Sequence, residues 1–418
     1  MMDQSRLTLR PLSLSNQDNS AASTEAPKGL LFTAFEPSGD DHAAVVIMEL
    51  RKRYSAEELP IYAWGGPKME AAGATIVEHT GDDAVMGLPG FKKIMEHRRI
   101  NGRVAKWLDV KGRRGVVAHI PVDSPAANFP ICRITKRRGL KVIHLVAPQI
   151  WAWASWRIKK LRRLTDMVLC LLPFEEAWFV ERGVPAKFIG HPLFDKPLDI
   201  SAIDDRVARF PASLTGTPKL AIMPGSRPSE MGACFPILLD AFRRLRADFP
   251  QTCAVVAATR PEVAERLREI AIETGGWPED VHVVSGDTDA VIRWCDYALV
   301  VSGTVTLQIA KQRKPMVAVY QPNKFVFKLI GQWLVSTQVF TLPNLIASAG
   351  TGGRTIIPEF IPHFGDGEPL AVEVIKFMRR TGYTDDQRRE LDAVCRRFED
   401  GPRAGAAAAD AIEEVLGF

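Results

Sequence analysis

Leu220–Met231, LAIMPGSRPSEM, joins a short apolar run to a tight turn and then to a helix-like pattern. Leu220, Ala221, Ile222 and Met223 read as a buried parallel strand, Pro224-Gly225 as the turn, and Ser226–Glu230 as a helix start. Free N–H groups at a helix N-terminus attract phosphate, and Arg227 sets a fork of charged donors beside them. The same residues also suit an ordinary strand-to-helix turn with a surface Arg, so the ligand stays open at this point. The architecture does not. A buried strand running through a short turn into a helix is the unit of an open parallel sheet, and the unit recurs on both sides of this one.

Downstream, Thr252–Ala257, Val281–Val284, Tyr297–Val301 and Met316–Val319 read as strands separated by helical patterns. Ser302-Gly303-Thr304 follows one of them as a second small-residue turn able to face a phosphate. Upstream, Gly29–Phe35, Ile61–Trp64, Val116–Val122, Lys141–Val146, Met167–Leu172 and Lys187–Ile189 give another series. At 418 residues the chain exceeds one ordinary core. The expected organisation is therefore α/β, with a doubly wound domain over 29–200 and a second over 201–384. Residues 1–28, rich in Ser, Asn, Gln and Ala, read as a disordered tail, and 385–418 as a helical segment able to cross back to the first domain.

Composition narrows the function classes. Hydrophobic residues make up 46% and charged ones 25%, with no apolar run long enough to span a bilayer. A net charge of +5 suits anionic substrates or a membrane surface and is too small to argue for nucleic acid. Cys132, Cys170, Cys234, Cys253, Cys295 and Cys395 show no CxxC pair and no metal-ligand spacing, and read as reduced core thiols of a cytosolic protein.

Several upstream turns carry chemistry at strand ends, where open α/β sheets bind ligands. Glu36-Pro37-Ser38-Gly39-Asp40 breaks the first strand and directs Glu36 and Asp40 toward a cleft, unless Ser38 or Asp40 only caps the next helix. Asp123, in Val122-Asp123-Ser124-Pro125, is a lone carboxylate suited to general-base work or to ordering the turn. Trp151, Trp153 and Trp156 either pack a core edge or line a sugar or acyl site. His191, before Pro192, can donate to a phosphate or satisfy a backbone carbonyl. From Met86 to Arg113, Ile94, Met95, Ile100, Val104, Trp107 and Leu108 alternate with Lys and Arg. That pattern fits a membrane-facing amphipathic stretch, or a helix with a core face and a solvated basic face.

Taken in order, Glu36-Pro37-Ser38-Gly39-Asp40, Gly65-Gly66-Pro67, Met86-Gly87, Val122-Asp123-Ser124-Pro125, Trp151-Ala152-Trp153, Leu172-Pro173-Phe174-Glu175, Gly190-His191-Pro192, Pro224-Gly225-Ser226-Arg227, Ser302-Gly303-Thr304 and Leu342-Pro343-Asn344-Leu345 form a set. The set resembles the lipid-A-disaccharide synthase family from about Leu30 to at least Phe360. The resemblance implies a GT-B fold, two Rossmann-like domains facing a cleft, and an inverting hexosyltransferase. It implies transfer of 2,3-diacylglucosamine from its UDP donor to 2,3-diacylglucosamine 1-phosphate, with a β-1,6 linkage and UDP release. By resemblance Asp123 is the candidate base, Glu36 the competing carboxylate and Arg227, with Gly225 and Ser226, the diphosphate clamp. Ser38, Gly39, Asp40, Ser302, Gly303, Thr304, Gln308, His191 and Trp151 are the further substrate-binding candidates.

The resemblance implies no cofactor and no metal, and the lack of an Asp-x-Asp pair at a suitable strand end agrees with it. It also implies a cytoplasmic enzyme held peripherally at the inner membrane, and leaves a homodimer open. Two alternatives stand beside it, a UDP-sugar 2-epimerase on a related fold and a weakened UDP-lipid-binding paralogue. The latter is motivated by departures from the family pattern: Ala126 where an acidic residue is usual, Gln308 for Glu, Ser336 for a basic residue and Pro362 for Gln.

Overall fold

The computed structural model describes residues 28–80, 90–111, 115–152, 155–324, 337–350, 354–379 and 383–418. The expected tail up to residue 27, Met86–Pro89, Trp153 and Ser336 lie outside them. The first sheet contains β1 (Gly29–Thr33), β2 (Ile61–Gly65), β3 (Thr75–His79), β4 (Val116–Pro121), β5 (Lys141–Leu145), β6 (Met167–Cys170) and β7 (Ala186–Phe188). Interleaved with them are α1 (Pro37–Arg53), α2 (Pro67–Ala71), α3 (Gly90–Lys111), α4 (Pro125–Arg137), α5 (Ile158–Leu164) and α6 (Glu175–Val180). The chain then crosses over through α7 (Pro192–Asp195) and α8 (Ile200–Val207).

The second sheet contains β8 (Lys219–Met223), β9 (Cys253–Ala258), β10 (Val281–Ser285), β11 (Tyr297–Val301), β12 (Met316–Val319) and β13 (Glu359–Phe360). Its helices are α9 (Pro228–Asp248), α10 (Pro261–Glu273), α11 (Thr288–Trp294), α12 (Val305–Lys311), α13 (Leu342–Ala347) and α14 (Glu368–Arg379). Two more, α15 (Tyr383–Glu399) and α16 (Ala404–Leu416), end the chain.

Strand order is β3-β2-β1-β4-β5-β6-β7 in the first sheet and β10-β9-β8-β11-β12-β13 in the second. Helices cover both faces of each, which is why all five residues of β1 and of β11 are buried and why these strands read as unbroken apolar runs. Two edge strands escaped the sequence pattern. In β3, TIVEH, Glu78 and His79 interrupt the apolar run because the strand is only half covered, and β13 has only two residues.

Each order reverses once, between β1 and β4 and between β8 and β11, and the crevice beyond such a reversal is where open sheets bind ligands. Glu36 and Asp123 leave the two strands that flank the first reversal. Arg227 and Ser302 leave the two that flank the second.

The halves are tied at two crossings. Gly190 has φ +82, and a Cβ there would lie 2.0 Å from the Pro402 carbonyl oxygen, so only glycine lets the outgoing and returning segments touch. After α15 packs against the second sheet through Leu391 and Cys395, α16 returns to the first, where Ala408, Ala409, Ala411 and Ile412 share a core with Val46, Ile47 and Leu50. Asp195 accepts from the Ala404 N–H at 2.9 Å and so caps the returning helix. No described helix is long and apolar enough to cross a membrane.

Candidate active site

The lower wall of the site is built on strained backbone. Asp123 and Ser124 are consecutive left-handed residues, with φ 47 and 38. Such strain persists only where surroundings over-determine it. Here Asn128, fully buried in α4, donates to the carbonyls of Val122 at 3.0 Å and Asp123 at 2.8 Å. Its Oδ1 accepts the Thr33 hydroxyl at 2.7 Å, and Thr33 in turn meets His119 Nε2 at 2.8 Å. Burial drops the His119 pKa to about 3, so this network is neutral and fixed. Asn128 was not foreseen as a functional residue; its one signal was the position five residues after Asp123.

Asp123 itself is half-buried. Burial raises its pKa, the nearby Glu36 carboxylate raises it further, and the Ser124 N–H and Arg227 pull the other way. Glu36 accepts the Ser124 hydroxyl at 2.9 Å. Arg227, from the second sheet, feels both Asp123 and Glu36, so the carboxylates of one half and the guanidinium of the other face one cleft.

The upper wall is a pocket of ≈ 260 Å³ over the second reversal. Gly225, Ser226, Arg227, Ser302, Gly303, Thr304 and Gln308 all line it, so the sequence-derived nucleotide candidates come together. Glu230, Thr259 and Thr288 also line it and were not singled out. Gly225 has φ +84, and a Cβ would stand 2.9 Å from Glu230 Oε2. The turn therefore needs glycine both for its conformation and to admit Glu230, which holds Arg227 Nη1 at 2.9 Å. Around Gly303 nothing lies within 4 Å of where a side chain would begin. No protein atom requires glycine there; the space belongs to the pocket.

Other candidates have structural employment. Asp40 is buried and accepts from the N–H groups of Gly66, Lys68 and Met69, each at 3.0 Å. It caps α2 instead of facing the cleft, and Gly66 is glycine because a Cβ would meet the Asp40 carboxylate at 2.5 Å. Asp40→Ala leaves those donors unpaired, and a loss of about 1–3 kcal/mol in urea unfolding is expected with kcat nearly unchanged. Gly39 is buried and a Cβ there would lie 3.1 Å from Ala34 Cβ, a packing constraint, while Ser38 is exposed in the first turn of α1.

His191 is also buried. Its Nδ1 accepts the Leu193 N–H at 3.1 Å and burial pulls its pKa to about 3, so it brings no positive charge to a phosphate. Trp151 is 6% exposed and stacks edge-on against Phe174, so it lines no open acyl site. These rings pack with Leu307, Val339, Leu345 and Ile346 of the second half. Ile100, Val104 and Leu108 of α3 likewise turn inward, onto Leu31, Trp64 and Val116. Over the described side chains the stretch is a helix with a core face at Ile100, Val104 and Leu108, while Met95 is 39% exposed and the Ile94 side chain lies outside the described ones. Leu342–Leu345 is a staple too: Asn344 and Thr341 both donate to Glu359.

Trp151 donates to Glu175 Oε1 at 3.0 Å and the Leu172 N–H to its Oε2 at 3.0 Å. Burial outweighs both bonds and pushes the Glu175 pKa up to about 7, from 4.5. The folded group thus keeps its proton to about pH 7, whereas the unfolded one loses it near 4.5. Its contribution to stability is full below about 4.5 and is lost as pH rises toward 7. Melting temperature should fall over that window, and Glu175→Gln should remove part of the slope; equal slopes would contradict the assignment.

The family model described as lipid-A-disaccharide synthetase matches residues 30–410. The chain belongs to the lipid-A-disaccharide synthase family. A family member from Anaeromyxobacter dehalogenans strain 2CP-1, named lipid-A-disaccharide synthase, is 35% identical over 84% of this chain and 88% of its own length. Membership makes the chain a hexosyltransferase, as the motif order implied. Among solved structures, the glycotransferase of kitacinnamycin superposes with a TM-score of 0.60 at 16% identity, covering 94% of this chain and 100% of that one. The UDP-GlcNAc 2-epimerase of Neisseria meningitidis, bound to UDP-GlcNAc, gives 0.56 at 10% identity, covering 94% and 100%. At such identities the likeness concerns the GT-B fold alone; family membership is what separates this chain from the epimerases.

Proposed function

We propose that this chain transfers 2,3-diacylglucosamine from UDP to the 6-hydroxyl of 2,3-diacylglucosamine 1-phosphate, forming the β-1,6-linked disaccharide of lipid A synthesis and releasing UDP. The observation that carries the reading is that Asp123 and Glu36, which flank the first sheet's reversal, lie near enough to Arg227, which flanks the second's, for their charges to act on one another across the cleft. Asp123 takes the acceptor proton, the freed oxygen attacks the anomeric carbon from the face opposite UDP, and the configuration inverts. Glu36, bonded to Ser124, orients the acceptor beside it. Negative charge grows on the departing diphosphate, where Arg227 and the Gly225-Ser226 backbone stabilise it. Ser302, Gly303, Thr304 and Gln308 hold the nucleotide. The enzyme works peripherally at the cytoplasmic side of the inner membrane, where acylated substrates reside.

The test is a detergent assay with both substrates, following the tetra-acylated disaccharide phosphate by mass spectrometry. Product that requires the acceptor supports the reading, whereas conversion of UDP-N-acetylglucosamine without acceptor would favour an epimerase. UDP binding with no product would favour a weakened paralogue, the reading that Ala126 and Gln308 motivate. Gln308 lines the nucleotide pocket as a neutral acceptor, so in that case Gln308→Glu should raise turnover.

A further inference from the structure

From Pro125 to Thr165 the sequence contains ten Lys and Arg residues and no Asp or Glu. The whole chain has 54 basic and 49 acidic residues, so without these ten it would be net negative. The fold gathers this charge. α4 and α5 pack side by side on the first sheet, and their outer residues line two adjoining concavities that share Arg163. One is lined by Arg133, Lys136, Arg137 and Arg163, the other by Trp156, Arg157, Lys159, Lys160 and Arg163. Asp166 holds Lys136 at 2.8 Å and Asp109 holds Arg138 at 2.7 Å, both at the margin. Arg133, Arg137 and Arg163 are exposed, and the Trp156 indole is 61% exposed at the rim.

We propose that this α4–α5 face is the surface by which the protein docks on an anionic lipid bilayer. Like charges held together repel, and a sheet of anionic headgroups relieves all of them at once. The surface is the outer side of a helical pair rather than a channel, and among the described residues Trp156 is the one ring that lines it. That arrangement suits an interfacial indole better than base stacking along a nucleic-acid strand. The face also leads to the site: α4 begins immediately after Asp123 and Ser124. The role in substrate access rests on the proposed acylated substrates, but the docking itself does not require turnover.

The experiment is co-sedimentation of the full chain with phosphatidylcholine vesicles, with and without phosphatidylglycerol, in the absence of substrates. The wild type is expected to prefer the anionic vesicles. The combined variant Arg133→Gln, Arg137→Gln, Arg163→Gln should lose roughly 100-fold in partitioning, and Trp156→Ala a smaller part. A control removing three exposed cations from helices of the second half, Arg266→Gln, Arg293→Gln and Arg389→Gln, should bind as the wild type does. Equal losses in both triple variants would reduce the effect to net charge and overturn the proposal. So would unchanged binding by the first variant, or tighter binding of the wild type to single-stranded RNA than to anionic vesicles at the same salt. Detergent-micelle activity of the first variant should equal the wild type, which separates a failed docking site from a failed catalytic reading.

Discussion

Asp123→Asn is expected to lower kcat by about 10²–10⁴-fold while UDP binding survives, because the pocket proposed for the nucleotide belongs to the other half of the chain. A sugar hydroxyl is a poor nucleophile until its proton has somewhere to go, and Asn offers no basic oxygen. The raised pKa matters here. A carboxylate at the ordinary value is a weak base, and burial with the Glu36 charge nearby makes Asp123 a stronger one. In the wild type the rate should therefore rise with pH through the Asp123 pKa, and Asp123→Asn should flatten that rise. Glu36→Gln keeps an acceptor for Ser124 but removes a negative charge, so it should shift the rise to lower pH and leave it visible. If Glu36→Gln flattens the profile and Asp123→Asn does not, the base is Glu36.

The pH profile also separates chemistry from structure at this position. Asp123 sits in a left-handed conformation that Asn tolerates well, and its backbone is held by Asn128 and the Leu145 carbonyl. Asp123→Asn should melt close to the wild type, so a loss of activity cannot be charged to unfolding.

The fold was legible because each buried parallel strand writes itself as an unbroken apolar run with glycine and proline behind it. Leu220–Met223 and Tyr297–Val301 are clear cases, and the turns after them supplied the nucleotide candidates directly. What the sequence could not show is where a side chain at such a turn points. Asp40 and Asp123 both follow a strand end, yet Asp40 turns sideways to the N-terminus of α2, a helix close to thirty residues away, whereas Asp123 stays at the cleft. Periodicity fails similarly in α3: it shows an apolar stripe with basic flanks, which a sheet and a bilayer bury equally well. Trp151 and Glu175 were quoted as separate motifs, and only the fold shows that one holds the other. Asn128 was nearly invisible because its work is done through three backbone and hydroxyl groups that no spacing rule connects.

Arg227→Ala should remove product formation almost as completely, by about 10²–10³-fold, from the opposite side of the reaction. Loss of UDP concentrates charge on the leaving diphosphate oxygen, and a guanidinium stabilises that state more than it does the intact donor. Its position is set by three features: the Gly225 turn, the unadorned N-terminus of α9 with no side-chain cap, and Glu230, which grips one end of the fork. The Arg227 side chain is 62% exposed, so its pair with Glu230 adds little to stability and the variant should fold normally. Arg227→Lys restores the charge without the planar fork, and an intermediate rate is the expected result. The split between constants then identifies the role. A clamp acting on the departing group lowers kcat more than it raises KM for the donor, whereas a mere anchor for ground-state UDP raises KM and leaves kcat near its original value.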